Sequence, residues 1–88
     1  MYIILVYDIS QPKRGVKLLN YLRTRLMWVQ NSVFEGEVTN SGFEEIKSKV
    51  RSIINNSEDC VIYYTFDSRN YTTRNVIGKD KNSTDTFI

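Results

Sequence analysis

The chain has no histidine, one cysteine, one proline and four glycines among 88 residues. Without histidine it lacks both the commonest general base and the commonest metal ligand. Its single cysteine, Cys60, cannot close an internal disulfide, which fits a reducing compartment. With no histidine to activate it, Cys60 is a poor nucleophile, and its place in an apolar run predicts burial as a structural residue. The scattered glycines match neither nucleotide-binding fingerprint, and no zinc-type cluster of Cys and His exists. No apolar run approaches the roughly 20 residues of a membrane span. There is no basic n-region leading to a cleavage site. These absences lead us to expect a cytoplasmic protein with no membrane partner.

The net charge of +2 conceals a strong segregation along the chain. Residues 1–30 hold five bases (Lys13, Arg14, Lys17, Arg23, Arg25) against Asp8, a net of +4. Residues 31–67 hold seven acids against three bases, a net of −4, and residues 68–88 return to +2. This is far from the footprint of a histone-like protein, but a basic first helix is compatible with phosphate contacts.

What the chain does have is an opening run, Met1-Tyr2-Ile3-Ile4-Leu5-Val6-Tyr7, that is apolar or aromatic throughout and ends on Asp8. A short continuous run rich in β-branched and aromatic residues reads as a strand buried on both faces. Ser10-Gln11-Pro12 then suits a helix start, with Ser10 as the cap and Pro12 in the first turn. Val16, Leu19, Leu22 and Leu26 follow at three- and four-residue steps, predicting an amphipathic helix over 12–26. Residues 28–39 are extended in character, with a bend or bulge at Asn31-Ser32 and an irregularity at Gly36. The pattern allows one bent strand or two short ones. Ser41 and Glu44 have the spacing of a capping box. Phe43, Ile46, Val50 and Ile53 then predict a second helix over 42–55, ended by Asn55-Asn56-Ser57. Cys60–Phe66 is a further β-prone run, and Arg74–Gly78 a short late strand. Thr86-Phe87-Ile88 closes the sequence on an apolar note.

The order is therefore βαββαβ, an α+β chain whose simplest solution is a two-layer sandwich with both helices on one sheet face. Residues 1–78 form the domain and 79–88 a tail. Two helices cover only one face of a sheet whose first and last long strands are apolar on both. Leaving Tyr2, Ile4 and Val6, or the residues that alternate with them, bare would expose a patch of the kind that marks an interface. A homodimer through that face follows, with the tail a candidate to pair with the neighbour.

Chemistry falls to the carboxylates. Asp8 ends a buried strand beside a basic helix. In a symmetric dimer, Asp8 from each chain could meet. Paired carboxylates suit Mg²⁺, which binds through one or two carboxylates and keeps several waters. Glu35, Glu37 and Asp67 read as solvent-facing. Of the aromatic residues, Tyr7 beside Asp8 and Phe34 after Ser32-Val33 are candidates to stack on bases.

Tyr7-Asp8-Ile9 at the end of an N-terminal strand, together with Gln30-Asn31-Ser32-Val33-Phe34-Glu35-Gly36, resembles the smaller of the two universal CRISPR-associated adaptation proteins. The likeness extends over nearly the whole chain, through Asp59 ahead of the Val-Ile-Tyr strand to Ile77-Gly78. It implies a ferredoxin-like fold and a homodimer in which a late C-terminal strand joins the partner's sheet. It also implies a Mg²⁺ site formed by Asp8 of both protomers, Asp8 being the catalytic residue. Tyr7, Arg14, Ser32 and Phe34 correspond to positions tied to substrate or cleft contacts, and Lys13 and Lys17 lie on the basic helix that would contact phosphates. The implied activity is metal-dependent endonuclease cleavage of single-stranded RNA or double-stranded DNA. A second implied role is as a scaffold that bridges copies of the larger CRISPR-associated integrase and holds DNA by its backbone. A ferredoxin-like toxin or regulatory module would share the fold without needing Asp8.

Overall fold

The computed structural model describes residues 1–67 and 74–79. Its elements in chain order are β1 (Tyr2–Asp8), α1 (Pro12–Arg23), β2 (Met27–Gln30), β3 (Val33–Glu37), α2 (Asn40–Ile53) and β4 (Cys60–Phe66). The four strands form one antiparallel sheet in the order β2-β3-β1-β4, so β1 lies between β3 and β4. This is the ferredoxin-like α+β sandwich that the sequence predicts.

Alternation along β1 decides what each face does. Ile3 and Leu5 point to the helix side, where they meet Leu18 and Leu22 of α1 and Phe43, Ile46, Val50 and Ile53 of α2. Phe34 of β3, opposite Leu5, fills the centre of this core and is fully buried. Tyr63 of β4, also opposite Leu5, lies edge-on against Phe43, with ring centroids 5.0 Å apart. The even-numbered residues of β1 face the side without helices.

The region 28–39 resolves into two strands. β2 and β3 form a hairpin whose turn holds Asn31 at φ 40°, a left-handed conformation that asparagine tolerates better than most residues. The pairing slips between Trp28 and Gln30. At Gly36, an added Cβ would lie 3.1 Å from Leu26 Cδ2, so a side chain there would crowd the chain leaving α1.

Several expected boundaries move. The helix predicted over 12–26 ends at Arg23, although the Arg25 and Leu26 amides still donate to Leu22 O and carry a tightened last turn to Leu26. Ser10 does not cap it, because the residue before the helix is Gln11 and makes no side-chain cap. The second helix starts at Asn40 and ends at Ile53. Its cap is Thr39, whose Oγ1 accepts from the Gly42 amide at 3.0 Å, in place of the Ser41–Glu44 box. Thr39 is the extended residue at the helix boundary, and Ser41 already lies inside the first turn. Arg74–Gly78 forms no strand; Arg74 instead reaches across the sheet to Glu35, and Gly78 turns the backbone at φ 103°. Residues 80–88 of the expected tail lie outside the described residues.

Two burial expectations are also corrected. Cys60 is exposed, because it opens the edge strand β4 on the face without helices. Glu35, expected in solvent, is 6% exposed and ion-paired with Arg74. Covered by this contact, the β3 side of the open face is less bare than two helices alone would leave it. Tyr2 is buried there, and Ile4 and Val6 are half-buried. On the β4 side, Ile62 and Tyr64 remain 49% and 55% exposed.

Because Phe34 is enclosed on every side, Phe34→Ala should cost about 3–5 kcal/mol. That is a large share of the total stability of so small a domain. Urea unfolding followed by circular dichroism measures the loss.

Candidate active site

β1 passes between two partners for most of its length, but its pairing with β3 stops at Val6–Val33, while its pairing with β4 runs on to Asp8–Cys60. The last two residues of the strand consequently have different surroundings. Tyr7 turns inward. Its amide donates to Ser32 O at 3.1 Å, and its ring lies against Phe34 at a centroid distance of 6.3 Å. Burial pushes the Tyr7 phenol up from its ordinary value, with the Arg23 charge and the Ser32 hydroxyl pulling it partly back. Asp8 turns outward and is exposed. Among the described residues, no hydrogen-bond donor or cation is paired with its carboxylate.

The loop that follows Asp8 is held from a distance. Asp59, at the end of the turn between α2 and β4, has a fully enclosed carboxylate. Its Oδ1 accepts from the Ser10 amide at 2.9 Å, and its Oδ2 accepts from the Asn55 amide at 2.8 Å and from Arg14 Nε at 2.8 Å. Arg14 Nη2 reaches Glu58 at 2.9 Å and Ser10 Oγ at 3.1 Å. One buried carboxylate thus joins the β1 exit, the first turn of α1 and the turn before β4. The Arg14 bond is the main reason the Asp59 carboxyl is held well below the usual carboxylate range. Burial opposes that shift, and the Asn55 and Ser10 amides add to it.

Apart from Asp8, the residues singled out in the sequence separate into three groups. Tyr7, Ser32 and Phe34 come together, but facing the core, and Phe34 has no surface to offer a ligand. Arg14 lies in the Asp59 cluster. Lys13 and Lys17 sit one turn apart on the exposed side of α1, and no carboxylate among the described residues pairs with either. Arg25, another of the N-terminal bases, is engaged by Glu45 at 3.1 Å, and Arg23 lies 5.1 Å over the Trp28 ring. Asp59 carries more of the site's architecture than any residue chosen as a candidate. Its signal in the sequence was slight: an acid between a polar turn and a β-prone run, with its arginine 45 positions away.

Among the described residues, no three of Asp, Glu, Cys and His cluster closely enough to hold a metal. Within one chain, this strand end offers a cation one carboxylate, Asp8. As a hard oxygen donor with no partner among the described residues, Asp8 fits half of a Mg²⁺ site of the two-carboxylate kind.

A four-stranded split-βαβ sandwich whose central strand delivers a lone, outward-facing carboxylate defines a class of small ferredoxin-like α+β proteins. Comparison with known proteins narrows that class. The family model described as CRISPR associated protein Cas2 matches residues 1–74. A protein of Dictyoglomus turgidum named CRISPR-associated endoribonuclease Cas2 is 43% identical over 88 residues, covering all of both chains. One of the same name from Methanocaldococcus jannaschii is 47% identical over 88 residues, covering all of this chain and 76% of its own. A crystal structure of Cas2 superposes with a TM-score of 0.83 at 35% identity, covering 100% of this chain and 98% of that one. The Streptococcus pyogenes Cas2 structure at pH 6.5 gives a TM-score of 0.73 at 27% identity, covering 86% of this chain and 99% of its own. The chain belongs to the Cas2 family.

The Asp59 cluster predicts how the fold responds to acid. A carboxylate whose folded pKa is depressed stabilises the fold above its unfolded value and loses that contribution as pH falls through the folded one. The stability gap between wild type and Asp59→Asn should therefore be widest above about pH 4 and shrink below it. Urea midpoints between pH 2 and pH 7 measure the gap.

Proposed function

We propose that this chain is a metal-dependent endoribonuclease of CRISPR defence, active as a homodimer in which Asp8 of each protomer holds Mg²⁺. The observation that carries this reading is the state of Asp8. A buried central strand delivers it to the surface, it is fixed in direction by alternation, and none of the described cations neutralises it. An aspartate serving only the fold would be expected to cap a helix or pair with a base, as Asp59 does. The names of the relatives supply the substrate class, and the uncovered Ile62 and Tyr64 supply a surface for dimerisation.

Bound between two Asp8 carboxylates, Mg²⁺ would supply neutralisation of charge on a phosphodiester and a route to activated water. The protein's own part is to hold the two carboxylates and admit the backbone of the nucleic acid. Lys13 and Lys17, free of acidic partners among the described residues, attract phosphates without reading bases. Tyr7 and Phe34 act from below by keeping the strand end in place, and Ser32 does so through its carbonyl.

A Mg²⁺ titration of cleavage, with labelled single-stranded RNA and double-stranded DNA as parallel substrates, tests this reading. Loss of a metal-binding carboxylate should exceed the 10–100-fold effects typical of residues that only support ligands. Asp8→Ala or added EDTA should accordingly reduce RNA cleavage more than about 100-fold while sedimentation still shows the dimer. Undiminished cleavage by Asp8→Ala would overturn the assignment.

The two lysines, without acidic partners among the described residues, favour a second role, in which the dimer holds duplex DNA by its backbone and bridges copies of the larger CRISPR-associated integrase. If both lysines of each protomer contact phosphate, neutralising Lys13 and Lys17 together should reduce the salt slope of DNA binding by the dimer by about 3.6. An unchanged slope would remove this helix from the contact surface.

A further inference from the structure

We infer that Asp59 and Arg14 form a positioning pair for Asp8, and that Arg14 acts on the nuclease site through Asp59 instead of touching substrate. The inference rests on the reading of Asp8 given above. The Asp8 carboxylate has no hydrogen-bond partner among the described residues, so its orientation depends on how its backbone is held. Two supports flank it, and Asp59 sets both. On one side, the Asp59 carboxylate accepts from the Ser10 amide, two residues beyond Asp8, at 2.9 Å. On the other, Cys60, which follows Asp59 directly, is the residue paired with Asp8 in the β1–β4 ladder.

Arg14 completes the clamp and is largely occupied by it. Nε donates to Asp59 Oδ2 at 2.8 Å, and Nη2 is shared among Asp59, Glu58 and Ser10 within 3.2 Å. Only Nη1 makes no bond among the described residues. A guanidinium bound in this way is directed back into its own chain, unlike Lys13 and Lys17 on the same helix. The Asp59 carboxylate in turn ties the Asn55 amide to this assembly at 2.8 Å. Three separate segments close on one acid beside the functional strand end, and a charge-assisted bidentate contact fixes the spacing between them. Such support is what a site needs to keep a ligand group within a fraction of an ångström of its working position.

The test uses the full-length dimer with Asp59→Asn, Arg14→Lys, the double variant Arg14→Ala/Asp59→Asn, and Arg25→Ala as a control from a surface pair elsewhere. Three quantities are read: Mn²⁺ affinity by electron paramagnetic resonance, amide hydrogen exchange at Ser10 against Ile3 and Leu5, and KM for RNA against the Mg²⁺ concentration giving half-maximal cleavage. The inference expects Asp59→Asn to weaken Mn²⁺ binding and raise the Mg²⁺ requirement about tenfold, with KM for RNA changed less than twofold. Exchange at Ser10 should speed at least tenfold while Ile3 and Leu5 keep their protection. The double variant should be no worse than Asp59→Asn alone, because both changes break one clamp. Arg14→Lys, which keeps the charge and loses the fork, should fall between wild type and Asp59→Asn, and Arg25→Ala should match wild type.

A further rise in KM for RNA on adding Arg14→Ala to Asp59→Asn would show direct substrate contact and overturn the inference. So would unchanged Mn²⁺ affinity in Asp59→Asn. If Asp59→Asn fails to fold, Arg14→Lys carries the same comparison. If Asp8→Ala cleaves like wild type, the nuclease reading falls, and the Mn²⁺ measurement alone decides whether Asp59 organises a cation site.

Discussion

The constraint on which the rest depends is the parity of β1. Paired with β3 on one side and β4 on the other over most of its length, it gives its odd and even residues different surroundings. Ile3 and Leu5 are committed to the core with both helices. Slipping the register by one residue would turn those side chains out and the Asp8 carboxylate toward the apolar interior. Burying that charge without a partner is among the costliest changes a small domain can suffer. The packing of Leu18, Leu22, Phe43 and Ile46 against β1 therefore also sets the direction in which Asp8 points. Fold and site share one cause.

The segregation of charge along the sequence has a similarly concrete meaning. The basic first third does not form one cationic surface, because the acidic middle reaches back to neutralise part of it. Arg14 is engaged by Glu58 and Asp59, and Arg25 by Glu45. These pairs differ in kind. Arg25–Glu45 joins partly exposed side chains, the sort of contact that contributes little. Arg14–Asp59 encloses its carboxylate and satisfies it with backbone amides as well, so removing either partner would leave a polar group stranded. After this cancellation, the unengaged positive charge of the first helix centres on Lys13 and Lys17, close in sequence to Asp8.

The sequence was most legible where a single local pattern decided the structure. The unbroken runs Met1–Tyr7 and Cys60–Phe66 became strands, and both apolar segments became helices facing one core, although α1 buries Leu18 with Leu22 and leaves Val16 of its expected stripe exposed. Where two local signals competed, geometry beyond the pattern chose between them. Thr39 and Ser41 both offer a hydroxyl near the start of α2, but only Thr39 has the extended backbone of a cap. Cys60 and Glu35 were misplaced for a related reason. Composition reports the character of a segment, whereas exposure depends on whether the strand lies at an edge and on what crosses its face. The Asp59 cluster was the least legible feature, since it joins residues 10, 14, 55 and 59, which no periodicity connects. Resemblance implies a cleft role for Arg14, and among the described residues its guanidinium is held by Asp59, Glu58 and Ser10.

The asymmetry of the open face links the fold to the proposed dimer. On the β3 side, Glu35 is covered through its pairing with Arg74, and Tyr2 is buried. On the β4 side, Ile62 and Tyr64 stand opposite Val6 and Ile4 and remain substantially exposed. The uncovered apolar surface is thus a band along β1 and β4, and these are the two strands that continue past the end of β3 pairing to reach Asp8 and Cys60. A second copy drawn to that band by its hydrophobic surface would approach Asp8 along the axis of β1. The same burial that relieves the band of water would bring negative charge toward negative charge at its end, an unfavourable contact unless a cation lies between the carboxylates. In the proposed arrangement apolar association and metal affinity would be coupled: each protomer would bring one carboxylate of little use alone, and assembly would supply the other.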